Sequence, residues 1–78
     1  MQGSNNIVGD RVKEARLKHK PLLTQDDLSG RLSAVGVAID RAGISKIEIG
    51  MRYVLDFEVK ALAKVLGISV DWLLGLKD

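Results

Sequence analysis

Seventy-eight residues without a cysteine allow one small domain, supported by neither a disulfide nor a cysteine-held zinc ion, so nearly every apolar side chain must serve the core. Twelve Lys and Arg against ten Asp and Glu give a net charge of +2 and a pI near 9.2, a basic lean that points only weakly to a polyanionic partner until the charges are placed. No apolar run reaches membrane-spanning length and no charged-then-apolar segment opens the chain, so the expected setting is the cytoplasm, with no membrane partner.

The opening MQGSNN, residues 1–6, is polar and reads as a disordered leader to a single domain over 7–78. A first helix is predicted over 7–20. Val8, Val12 and Ala15 recur at i, i+4 and i+7, with Arg16 and His19 on the same stripe. Pro21 cannot continue the helix and closes it at or before Lys20. His19 is the one histidine, and at a helix end it reads as a terminus residue rather than a catalyst or ligand.

Residues 23–52 carry two helices with matching start and stop signals. Thr24 is an N-cap with Asp27 placed for a capping box, and Leu23 and Leu28 have the spacing of a hydrophobic staple. Asp40 repeats the pattern, with Ile39 and Ile44 as its staple. Gly36 and Gly50 stop the two helices, which are predicted over about 24–35 and 40–49. In the second helix Leu28, Leu32 and Val35 form the buried stripe, while Asp26, Asp27 and Arg31 point away. Gly30 interrupts it at a cost of about 1 kcal/mol against alanine, read as drift on a solvent face.

The third helix divides its faces. Ile44, Ile47, Glu48 and Met51 turn inward, and Arg41, Ala42, Ser45, Lys46 and Ile49 turn outward. A buried carboxylate needs a partner, and Arg16, stranded on the apolar stripe of the first helix, is the matching oddity. The two read as a pair. After a connection ordered by Tyr53, Asp56 caps a fourth helix with Val59, Leu62, Ala63 and Leu66 inward and Gly67 as its stop. Ser69 caps a very short fifth helix, stapled by Ile68 and Leu73 and ended by Gly75. The reading is all-α.

The runs LTQDDL, ISKIEIG, LAKVLGIS and DWLLG, in that order, resemble the phage-repressor-like (Cro/XRE type) helix-turn-helix family over about residues 8–76. The resemblance implies a compact five-helix, lambda-repressor-like DNA-binding domain. Members are mostly bacterial and phage transcription regulators that bind operator DNA as dimers. It assigns Gln25 to the DNA backbone, Arg41, Ala42, Ser45 and Lys46 to the major groove, and Arg16 with Glu48 to a buried ion pair between the first and third helices. Two departures stand out. The connection through SAVGVAID is about five residues longer than the usual form, predicting an extra turn on the second helix and a looser corner. Ile49 and Met51 replace an Asn and a Lys that are common in the family.

The leading expectation is therefore sequence-specific binding of double-stranded operator DNA by a homodimeric regulator, most simply a repressor. Gln25 and Arg52 would contact phosphates, and Arg41 and Lys46 would donate to guanine. The competing reading, kept alive by exposed Ile49, is a protein-binding adaptor or antitoxin-like module on the same fold. An enzyme is not expected: no nucleophile has a paired base, and no metal-ligand cluster, cofactor motif or small-molecule substrate site is legible.

Overall fold

The computed structural model describes residues 4–78. Five helices succeed one another with no strand among these residues: α1 (Gly9–Lys18), α2 (Gln25–Ala34), α3 (Arg41–Glu48), α4 (Asp56–Leu66) and α5 (Val70–Leu73). Their apolar stripes close on one core, in which Val12, Leu28, Leu32, Ile44, Ile47 and Leu62 are sealed from solvent. No helix among the described residues is long and apolar enough to cross a membrane.

The start signals act through hydrogen bonds. Thr24 Oγ1 accepts the Asp27 N–H at 3.0 Å and Asp27 Oδ2 accepts the Thr24 N–H at 2.9 Å, completing the box. Asp40 Oδ1 accepts from Gly43 N at 2.7 Å, and Ser69 Oγ from Trp72 N at 3.0 Å. These bonds satisfy N–H groups that an α-helix leaves without an internal partner. At α4 the roles shift by one residue from the expectation. Asp56 is already helical, Leu55 is the cap, and the Glu58 carboxylate takes the Leu55 N–H at 3.0 Å.

The stop signals explain two misplaced side chains. Gly36 and Gly50 adopt φ of 84° and 79°, so the next residue can fold back. Val37 N–H then reaches the Leu32 carbonyl at 2.9 Å, and Met51 N–H reaches the Lys46 carbonyl at 2.8 Å, the closure of a Schellman motif. Helical periodicity is lost at that point. Val35, expected inside at i+7, is the C-cap of α2 and is 41 % exposed, and after the turn Val37 packs on the core instead. Met51, also expected inside, lies beyond the left-handed turn and is 67 % exposed.

The long connection adds no turn to α2, which stops at Ala34. Its extra length lies in residues 35–40, where Val37 and Ile39 pack inward and Ser29 Oγ donates to the Ile39 carbonyl at 2.7 Å. The corner is tethered rather than loose. Tyr53 does not order the α3–α4 connection, being 72 % exposed. That work falls to Asn6, whose Nδ2 donates to the Arg52 carbonyl at 2.8 Å, and to an Arg52–Glu58 ion pair.

The expected leader falls in part on described residues. Residues 1–3 lie outside the described residues, but Asn5 N–H donates to the Gly50 carbonyl at 2.7 Å. Asn6 Nδ2 also donates to the Ile47 carbonyl at 3.1 Å, while its Oδ1 accepts from Val8 and Gly9 at 3.1 and 2.8 Å. Asn6 thus supplies the start of α1, which begins at Gly9 rather than at 7, and clamps it to the end of α3. At its other end α1 stops at Lys18, with His19 extended and its Nδ1 3.0 Å from the Pro21 carbonyl oxygen. The chain end is tied back as well. Arg11 lies 4.7 Å over the half-buried Trp72 ring and donates to the Trp72 and Lys77 carbonyls.

Candidate nucleic-acid interface

The outward face of α3 is set by what its inward face must do. Ile44 and Ile47 enter the core and Glu48 follows them, turning Arg41, Ala42, Lys46 and Ile49 to solvent with Ser45 at the margin. Arg41 is the first helical residue after the Asp40 cap, so its guanidinium stands at the N-terminal end of α3.

Beneath this face lies a buried ion pair. Arg16 Nε and Nη2 bond Glu48 Oε2 and Oε1 at 2.7 and 3.0 Å, a two-point fork, and Arg16 Nη1 donates to the Leu23 carbonyl at 3.0 Å. The residues are 8 % and 5 % exposed. Gln25, half-buried in the first turn of α2, gives Nε2 to Glu48 Oε1 at 3.1 Å. One carboxylate therefore ties together α1, α2 and α3, and the donors around it offset the cost of burying a charge. Among the described residues no buried side-chain nitrogen or oxygen lacks a partner.

Gln25 and Arg41 meet at one shallow groove, which Asp26 also lines. Arg41 Nη1 is 3.8 Å from Asp26 Oδ2, across the α2–α3 corner. Helical spacing marks Asp26 only as a solvent-facing residue. Its place opposite the start of α3 depends on the angle between two helices, which helical spacing does not encode.

Arg52 is not brought to this face as a free cation. Its Nη1 and Nη2 bond Glu58 Oε1 and Oε2 at 2.9 and 3.0 Å, and Nη1 also reaches the Tyr53 carbonyl. The pair holds the Arg52 guanidinium, still partly exposed, against the start of α4. The sequence signal for this pair is Glu58 at the third position of α4, where a carboxylate caps the helix start.

The same pair makes the fold acid-sensitive. The Arg52 hydrogen bonds, aided by the Leu55 N–H, hold the Glu58 carboxyl below the usual carboxylate range, and the pair raises Arg52. A depressed folded pKa contributes stability that is fully present above the unfolded value of about 4.3 and is lost as pH falls through the folded one. Urea unfolding of the wild type and Glu58→Gln should differ most at pH 5–7, and the gap should narrow below about pH 4. A gap independent of pH would mean that Glu58 is not stabilised as a carboxylate.

A helix-turn-helix family model matches residues 12–73, from within α1 to the end of α5. No curated protein matches the chain. Domains of this family are DNA-binding modules of transcriptional regulators. With five helices, the α2–α3 corner and this match over most of its length, the chain belongs to the phage-repressor-like helix-turn-helix family.

Proposed function

We propose that the chain binds double-stranded operator DNA in a sequence-specific manner, as a bacterial or phage-type repressor, with α3 in the major groove. The observation that carries this reading is the solvent-facing Arg41–Lys46 surface of α3, held beside the start of α2 by the buried Arg16–Glu48–Gln25 cluster. Arg41 and Lys46 donate to guanine O6 and N7, Ala42 meets a thymine methyl group, and Ser45 supplies a hydroxyl. Gln25 keeps one amide N–H on Glu48 and turns the other to a phosphate, which sets register without reading sequence. Arg52 is left out of this set.

An eight-residue α3 is about 12 Å long and spans only a few base pairs. Adequate specificity therefore calls for two copies on half-sites about 34 Å apart. Tyr53 and Leu76, both exposed, and the partly buried Leu74 supply apolar surface for that pairing.

Selection of bound duplexes from a random pool tests the reading. The selected site should show two-fold symmetry and saturate at two chains. On single-base variants of that site, Arg41→Ala should flatten the preference at one base pair per half-site, worth about 1–3 kcal/mol. If the variant weakens every sequence equally and keeps the preference, α3 does not read bases through Arg41. Failure of the wild type to bind any duplex at low salt would favour the protein-binding module, for which exposed Ile49 and Met51 are available.

A further inference from the structure

We propose that Asp26 is a specificity-determining residue of the DNA-reading face, acting by biasing the Arg41 guanidinium electrostatically and by opposing phosphates. The inference rests on the DNA-binding reading above and adds to it a residue of opposite charge.

Asp26 has no large part in holding the fold. The capping of α2 falls to Thr24 and its neighbour Asp27, whose carboxylate is the one engaged with the Thr24 N–H. The Asp26 side chain is 72 % exposed, that of Arg41 69 %, and their 3.8 Å separation is too long for a hydrogen bond. Exposed pairs of this kind contribute little to stability. Yet the carboxylate stands in the groove between α2 and α3, beside the residue best placed to meet a base. A negative charge there is repelled by any nucleic acid within about a Debye length, some 8–10 Å.

The consequences differ between duplexes. On an arbitrary sequence Arg41 can only meet a phosphate, and part of that attraction is cancelled by Asp26. On a guanine, the nitrogens of the guanidinium fork that face away from Asp26 engage O6 and N7, while the carboxylate 3.8 Å behind draws the fork electrostatically toward that side of the groove. Repulsion is felt on every duplex and positioning is rewarded on one. Asp26 therefore lowers affinity overall and raises the ratio between the right site and the rest.

Asp26→Asn removes the charge and keeps the shape. Binding to a random duplex at low salt should tighten about 3- to 10-fold, with a salt slope steeper by roughly one unit. Binding to the selected site should tighten less, so the preference at the Arg41 base pair should fall several-fold, while the melting temperature falls by no more than a few degrees, the loss of one acidic charge from the first turn of α2. In an Arg41→Ala background the same change should still raise random-duplex affinity but no longer alter the preference, because the coupling runs through Arg41. Equal tightening on selected and random duplexes, or no change on either, would overturn the proposal. If the wild type binds duplex and loses its base preference on Arg41→Ala, those outcomes remove the Asp26 role alone. If the wild type binds no duplex, the functional reading falls and this inference with it.

Discussion

Glu48→Ala should destabilise the domain by about 3–5 kcal/mol, because it leaves the Arg16 guanidinium buried without its counter-charge. A domain of this length holds about 4–12 kcal/mol in all, so the variant is expected near the limit of folding at 25 °C. Urea unfolding at pH 7 is the measurement. Glu14→Ala is the comparison, since Glu14 is paired with Lys18 in an exposed i,i+4 contact and should cost no more than about 0.5 kcal/mol. The loss should come from the stranded charge rather than from the missing attraction. Arg16→Met combined with Glu48→Leu should therefore recover much of it, as apolar replacements of buried pairs commonly do. If Glu48→Ala and Glu14→Ala unfold alike, the pair does not hold α1, α2 and α3 together, and the support for the reading face is elsewhere.

Two glycines should respond to alanine with opposite signs. A Cβ on Gly9 would stand 2.1 Å from the Ile47 carbonyl oxygen and 3.2 Å from that of Glu48. Both are backbone atoms at the end of α3 and cannot rotate away, so α1 would have to withdraw from α3. Overpacking of this kind costs about 1–3 kcal/mol and occasionally more, and here it would also disturb the Asn6 bonds to the same junction. At Gly30 a Cβ meets nothing within 4 Å. Gly30→Ala should therefore stabilise α2 by up to about 1 kcal/mol through helix propensity alone. Denaturation midpoints of the two variants check both. A Gly9→Ala protein as stable as the wild type would show that α1 and α3 are not in close contact there.

Part of the candidate site follows from local chemistry. Thr24, Asp27, Asp40, Gly36 and Gly50 act within a few residues of themselves, so their caps and turns are legible in the order of residues. The inward face of α3 follows from 3.6-residue spacing, and a charge on an apolar stripe announces that it needs an opposite charge, as Arg16 and Glu48 do. Spacing fails where the helix stops. Val35 and Met51 continue the pattern in sequence, but Val35 is already the cap after the last helical residue of α2 and Met51 lies past the turn at Gly50.

What local spacing could not decide is set by distances between elements far apart in the chain. Asn6 is a good capping residue by type, but its bonds to the Ile47 and Arg52 carbonyls exist only because α1 starts against the end of α3. Arg52 looks like a free cation after a helix, and the start of α4 brings Glu58 onto it. Asp26 and Arg41 are each ordinary exposed charges on their own helices. They become neighbours through the α2–α3 corner. A side chain's face is a property of its own helix and is written in the local order of residues, whereas its partner depends on how the core packs the helices together, which is a property of the whole chain.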